Sequence, residues 1–146
     1  MTKYDDTSWH LEGEFPEDLP PEAAAIPAGM FLGWAIQQGL AGELLREEFS
    51  EELARFDNQE MSAAEILREC LDGKLISDDL APEAAEFADV YYQDGHFYRD
   101  FEAVLVPEEM PSLFHPADNR ENFAKIQSRI QERFLEWKRT GKIISA

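Results

Sequence analysis

Cysteine and positive charge are both scarce in this sequence. Cys70 is the single cysteine among 146 residues, which excludes an intramolecular disulfide and any CxxC metal cluster. Lys and Arg number 13 against 31 Asp and Glu, so the net charge at pH 7 is −18. This excess of negative charge argues against binding to DNA, RNA or an anionic membrane. It favours a cationic partner, or it serves solubility alone.

The chain also lacks a hydrophobic run long enough to cross a bilayer. Its longest apolar stretch covers residues 23–36 and is interrupted by Pro27, Gly29 and Gly33. A spanning helix needs about 20 apolar residues. The N-terminus places Asp5 and Asp6 where a signal peptide carries basic residues. We therefore expect a soluble, cytoplasmic protein.

Established catalytic motifs are absent from the sequence. No segment matches a GxSxG nucleophile elbow, an HExxH zinc motif, a Walker loop or a dinucleotide-binding fingerprint. The acidic pairs do not have the 12-residue spacing of an EF-hand loop. Cys70 follows Ile66 and Leu67 on one helical face, as a core residue does. We accordingly expect no cofactor, no bound metal and no catalytic residue.

Helical patterns dominate what is present. Ser62 and Glu65 form a capping box, and β-branched residues are sparse. The C-terminal segment has the clearest amphipathic stripe, formed by Phe123, Ile126, Ile130, Phe134 and Trp137. We predict an all-α, single-domain bundle of about six helices over residues 22–146. These lie near 27–38, 42–49, 62–72, 82–94, 97–105 and 118–140. An irregular N-terminal segment, residues 1–21, is predicted to pack across the bundle.

The helix near residues 27–38 is apolar on almost every side, which is typical of a central core helix. The same property allows a second interpretation, in which residues 30–36 form a homodimer surface. Both interpretations are compatible with the sequence.

Charge is unevenly distributed along the chain. Residues 118–146 hold seven basic and four acidic residues, whereas residues 1–117 hold six basic and 27 acidic ones, a net charge of −21. This asymmetry indicates either an acidic face that binds a basic partner or acidic side chains that only keep the protein soluble. A net charge far from zero weakens the compact state by self-repulsion.

The N-terminal segment concentrates polar side chains. Asp5, Asp6 and His10, joined in space by His96, could form a metal or acid–base site. In the alternative interpretation Tyr4 and Trp9 anchor the segment to the core, and one of the aspartates caps a turn. His115 is a further candidate of the same kind.

Several motifs together resemble an uncharacterised family of short acidic bacterial proteins, a domain of unknown function. The resemblance extends from Tyr4 to about residue 137. It rests on Tyr4–His10, Phe15–Pro20, Gly29–Ile36, Tyr91–Tyr92 and Pro111–His115. The family has no assigned activity, so the resemblance implies no site residues. In general character the chain resembles the immunity proteins encoded beside bacterial toxins.

The leading hypothesis is a cytoplasmic immunity protein that neutralises a cognate, basic toxin by covering its active site. Fast association through charge suits such a role and requires no catalysis. The predicted contact residues are the acids Glu43, Glu47, Glu48, Glu51, Glu52, Asp78 and Asp79, with Trp9, Tyr92 and Tyr98 as aromatic anchors. One alternative is a small hydrolytic or metal-dependent enzyme using Asp5, Asp6, His10 and His96. The other is a regulatory or scaffold subunit.

Overall fold

The structure is a computed structural model that describes residues 1–143. Within these residues the chain forms eight α-helices and one two-stranded sheet, with short 3-10 helices at Pro21–Ala25 and Ser77–Asp79. The predicted predominantly helical fold is confirmed. In chain order the elements are β1 (Lys3–Asp6), α1 (Thr7–Leu11), α2 (Ile26–Gln37), α3 (Glu43–Glu48), α4 (Ser50–Asp57), α5 (Ala63–Cys70), β2 (Lys74–Ile76), α6 (Pro82–Tyr91), α7 (His96–Leu105) and α8 (Arg120–Thr140).

Helix α2 is the centre of the core. Residues 26–35 are all buried, as expected for a helix that is apolar all round. Gly29 lets α5 approach closely, because a Cβ at this position would lie 2.5 Å from the Cα of Ala64. Since the apolar faces of α2 are covered by the chain itself, they do not offer the surface on which the homodimer interpretation depended.

Helix α8 closes the core on another side of α2. Ile126, Ile130 and Phe134 of its predicted stripe are buried. The ring of Phe134 lies 5.1 Å from that of Trp34, and the Trp34 indole N–H donates to Gln131 Oε1 at 2.7 Å. The amphipathic pattern therefore predicted both this helix and the face it buries. No helix among the described residues is long and apolar enough to cross a membrane.

The N-terminal segment contains a strand and a short helix that the sequence did not reveal. Strand β1 pairs antiparallel with β2, and its register shifts between Lys3 and Asp5. This shift interrupts the alternation of a strand, so Tyr4, Asp5 and Asp6 are all buried. Strands of four and three residues are too short to show a hydrophobic period. Their pairing brings Asp5 to the end of α6 and the start of α7.

Candidate functional site

Four side chains from distant parts of the chain meet where β1 and α1 pack on α6 and α7. We call Asp5, His10, Tyr92 and Tyr98 the Asp5 cluster. Strand β1 supplies Asp5 and α1 supplies His10, while Tyr92 directly follows α6 and Tyr98 lies in the first turn of α7. Gly95, with a left-handed φ of 87°, makes the turn that brings the two tyrosines side by side.

The Asp5 carboxylate is the main acceptor of the cluster, in which the Tyr98 hydroxyl also lies 3.1 Å from His10 Nε2 and 3.4 Å from the Tyr92 hydroxyl. Its Oδ1 accepts from the Nε2–H of His10 at 2.7 Å and from the backbone N–H of Asp6 at 2.9 Å. Its Oδ2 accepts from the hydroxyls of Tyr92 and Tyr98. Burial alone would raise the pKa of this carboxyl, but the hydrogen bonds from His10, Tyr92 and Tyr98 outweigh burial and lower its pKa. Asp5 is therefore a buried, ionised carboxylate at neutral pH.

The two tyrosines are held as hydrogen-bond donors. Burial, together with the nearby Asp5 charge, raises the pKa of Tyr98 and of Tyr92 well above the usual range. Both hydroxyls therefore keep their protons at physiological pH. The cluster joins the N-terminal segment to α6 and α7 through charge-assisted hydrogen bonds.

His10 is partly exposed to solvent, with its side chain 23% exposed. Because the carboxylate of Asp5 can only accept, Nε2 carries the proton of this contact. Within residues 1–143, Nδ1 makes no hydrogen bond. The ring also packs on Phe114 with centroids 5.0 Å apart. The arrangement fixes one imidazole tautomer and presents the other nitrogen outward.

The enzyme interpretation required Asp6 and His96 to join Asp5 and His10 in one site. In the structure, the side chains of Asp6 and His96 contact other residues. Asp6 caps α1 by accepting from Ser8 N–H at 3.0 Å and pairs with Lys3 Nζ at 2.8 Å. Burial opposes its charge, but these partners prevail and lower the pKa of Asp6 to about 2. The Nδ1 of His96 lies 3.0 Å from a guanidinium nitrogen of Arg99. The described part of the chain contains no group of three or more His, Cys, Asp or Glu arranged to hold a metal.

The predicted acidic contact residues lie mainly on α3 and α4. Glu43, Glu47, Glu48 and Glu51 are exposed, and Glu52 is half-buried. Asp78 is also exposed. It lies beside the start of α3, because the N–H of Gly42 donates to the carbonyl oxygen of the next residue, Asp79, at 2.8 Å. We call Glu43, Glu47, Glu48, Glu51 and Asp78 the acidic surface.

Asp79 does not share this exposure. Its carboxylate turns inward and accepts from the N–H of Ile76 at 3.0 Å. Burial raises its pKa to about 6; the Ile76 hydrogen bond opposes this rise and the neighbouring Asp78 adds to it. Asp79 therefore shapes the 3-10 turn next to the acidic surface, and it is not available as a surface charge.

The predicted aromatic anchors differ in accessibility. Trp9 is 52% exposed, whereas Tyr98 is half-buried and Tyr92 is 3% exposed. Both tyrosines are engaged by Asp5, so Trp9 is the most exposed of the three rings, although Lys3 Nζ lies over it at 5.1 Å from the ring centroid. Leu44 is 56% exposed, whereas its neighbour Leu45 is 2% exposed. Adjacent residues point about 100° apart on a helix, and α3 buries only Leu45.

Comparison with known proteins identifies a family but no function. The family described as "Domain of unknown function (DUF7832)" matches residues 3–116. This range includes the Asp5 cluster and the acidic surface, and it ends before α8. No curated protein and no solved structure matches the chain.

Proposed function

The chain belongs to this family of domains of unknown function, and we propose that it is a binding protein for a basic protein partner. More specifically, we propose a cytoplasmic immunity protein that covers the active site of a cognate bacterial toxin. The acidic surface is the contact region. The interpretations as an enzyme built on Asp5 or as a regulatory or scaffold subunit stay alternative predictions.

The observation that carries the proposal is an exposed leucine among exposed carboxylates. Leu44 is 56% exposed, and Glu43, Glu47 and Glu48 surround it in the sequence of one short helix. Interfaces commonly combine a central apolar side chain that loses water on binding with a charged rim. Leu44 thus supplies the apolar anchor that Tyr92, being buried, cannot supply.

Helix-dipole stabilisation explains part of this placement of charge, because Glu43 lies in the first turn of α3 and Glu51 and Glu52 lie in the first turn of α4. It does not explain Glu47 and Glu48 at the other end of α3. Glu43 and Glu47 are four residues apart on α3 and repel each other, which costs about 0.2–0.5 kcal/mol in an isolated helix. Between residues 43 and 60 there are seven acidic and two basic residues. A solubilising surface needs charge but gains nothing from its concentration at one place. Concentrated charge does accelerate association with a partner of opposite sign.

The test starts from affinity capture at low salt with the full chain as bait. The captured protein is then purified and assayed for toxic activity, with and without equimolar chain. We expect a basic protein whose activity the wild-type chain suppresses. The double variant Glu47→Lys with Glu48→Lys should suppress it at least about tenfold less well, because each reversed rim charge repels the partner.

A control with the same change in net charge separates local from general electrostatics. Glu121 and Glu132 are exposed residues of α8, so the double variant Glu121→Lys with Glu132→Lys also raises the net charge by four. It should suppress the toxin almost as well as wild type. Equal suppression by both double variants would remove the acidic surface from the interface. A captured protein with no activity that the chain suppresses would overturn the immunity function.

A further inference from the structure

A second histidine joins two loops outside the Asp5 cluster. His115 lies in the connection between α7 and α8, and its Nε2 is 2.9 Å from Oδ2 of Asp18 in the N-terminal segment. Its Nδ1 is 2.7 Å from Oγ of Ser112. These are the distances of a nucleophile hydrogen-bonded to a base that a carboxylate in turn orients.

The proton positions in this group follow from its chemistry. The carboxylate of Asp18 can only accept, so the Nε2 of His115 carries a proton. In the neutral imidazole, Nδ1 then accepts the hydroxyl proton of Ser112. The serine Oγ also accepts from the backbone N–H of Phe114 at 3.1 Å, which leaves it a further lone pair. The hydrogen bond from His115 lowers the pKa of Asp18, so this carboxyl stays ionised.

Ser112 lines an open depression of about 390 Å³, a volume within the range of small-molecule sites. Its wall includes three glutamates, Glu14, Glu102 and Glu108. Met110 and Phe114 supply apolar surface. The backbone N–H of Leu113, the residue after the serine, donates no hydrogen bond to the described part of the chain. A free N–H at this position is suited to stabilising an oxyanion formed next to the serine.

We propose that Ser112, His115 and Asp18 form a hydrolytic site for small esters that carry a positive charge. Ser112 is the nucleophile, His115 the general base and acid, and Asp18 holds the imidazole tautomer. The three glutamates of the wall favour a cationic substrate. The proposal does not depend on the acidic surface or on the immunity function.

The reaction is a two-step acyl transfer with water as the second reactant. Ser112 Oγ bonds to the ester carbonyl carbon while its proton passes to His115 Nδ1. The bond from carbon to the leaving alcohol then breaks, and the alcohol takes that proton, leaving an acyl-serine. Water attacks the acyl carbon and gives one proton to His115 Nδ1. The bond from that carbon to Ser112 Oγ then breaks to release the acid, and Oγ takes the proton from Nδ1. The net change is one ester and one water converted to an acid and an alcohol.

A fluorophosphonate tests the nucleophile on the wild-type chain without any variant. Its phosphorus bonds to an activated serine oxygen with loss of fluoride, and intact-mass and peptide mass spectrometry locate the adduct. We expect one adduct, on Ser112. No adduct, or an adduct on another serine, overturns the proposal.

Variants then test the base and its orienting carboxylate. Ser112→Ala should abolish labelling, and His115→Gln and Asp18→Asn should slow it at least about tenfold, while Ser128→Ala on the exposed face of α8 should leave it unchanged. Hydrolysis of acetylcholine should exceed that of its neutral isostere 3,3-dimethylbutyl acetate, in which carbon replaces the quaternary nitrogen. Labelling that the histidine and aspartate variants leave unchanged would show a purely structural contact and overturn the proposal. Equal hydrolysis of the two esters would overturn the cationic preference.

Discussion

At the scale of single residues, buried carboxylates in this chain are distinguished by their partners. Asp5 is buried with four donors around it, and its pKa is lowered. Asp79 is buried with one backbone donor and a neighbouring carboxylate, and its pKa is raised to about 6. Burial raises the pKa of both, so the partners decide the sign of each shift: several donors and His10 at Asp5, against one donor and the Asp78 charge at Asp79. Opposite signs give opposite effects of pH on stability.

Asp5→Asn should destabilise the fold at neutral pH. Asparagine has nearly the same shape as aspartate but no negative charge. Tyr92, Tyr98 and His10 therefore lose a charged acceptor, and a hydrogen bond to a charged group contributes about 1.5–3 kcal/mol. We expect the free energy of unfolding in urea to fall by about 2 kcal/mol at pH 7. The folded-state pKa is lowered, so the wild-type advantage is present above the unfolded pKa and is lost as pH falls through the folded one.

The exposed Asp94 provides the control for this change. Asp94→Asn should leave the free energy of unfolding within about 0.5 kcal/mol of wild type. If Asp5→Asn were as stable as wild type at pH 7, the Asp5 cluster would not hold the N-terminal segment in place.

Asp79→Asn should have the opposite effect at mildly alkaline pH. A raised folded-state pKa means that Asp79 supports stability below the unfolded pKa of about 4, and this contribution is lost as pH rises through about 6. The asparagine oxygen can still accept from Ile76 N–H without carrying charge. We expect the variant to gain about 1 kcal/mol at pH 8 and to lose this advantage at pH 4. Asp78→Asn, on the exposed neighbour, is the matched control, and an equal gain there would contradict a specific cost of burying Asp79.

At the scale of elements, the parts that could be predicted are those whose residues are close in sequence. The stripe of α8 and the capping box of Ser62 and Glu65 are local patterns, and both are present in the structure. The β1–β2 pairing joins segments about 70 residues apart, and neither strand has a period of its own. The same limit applies to the Asp5 cluster. Asp5 and His10 lie in one short motif, but nothing local in the sequence indicates Tyr92 and Tyr98 as their partners.

Gly29→Ala tests the close packing of α2 on α5. Helix propensity alone predicts a gain of about 1 kcal/mol from this substitution. The added Cβ would lie 2.5 Å from Ala64 Cα and 2.7 Å from Ala64 N, both backbone atoms that cannot rotate away. Overpacking of this kind typically costs about 1–3 kcal/mol, so we expect a net loss of stability in thermal or urea unfolding. A variant more stable than wild type would show that α2 and α5 do not pack as described.

At the scale of the whole molecule, α8 is part of the core although the family match ends at residue 116. Its Phe134 packs against Trp34. Its Arg133 forms an ion pair at 2.9 Å with Asp100, and the Asp100 carboxylate also accepts a hydrogen bond from the Tyr91 hydroxyl. A chain ending after residue 117 should therefore lose cooperative unfolding and its near-UV circular dichroism. Retention of a cooperative transition would show that residues 3–116 fold without α8.

Charge is also uneven along the chain, with a net positive segment that begins just before α8 and most of the acidic surface on α3 and α4. Long-range attraction of a basic partner depends on this distribution and on salt. The proposed function depends on this charge pattern, which is visible in the sequence, and on an exposed Leu44, which is not. The position of Leu44 depends on how a six-residue helix is rotated against the core.

The most direct test of the acidic surface is the association rate of the chain with its captured partner, measured by stopped flow across a salt series. We expect a steep fall with salt for wild type and for the α8 double variant. The Glu47→Lys and Glu48→Lys double variant should associate at least about tenfold more slowly at low salt, with a flatter salt dependence. The same rates and the same salt dependence for all three proteins would contradict docking through the acidic surface.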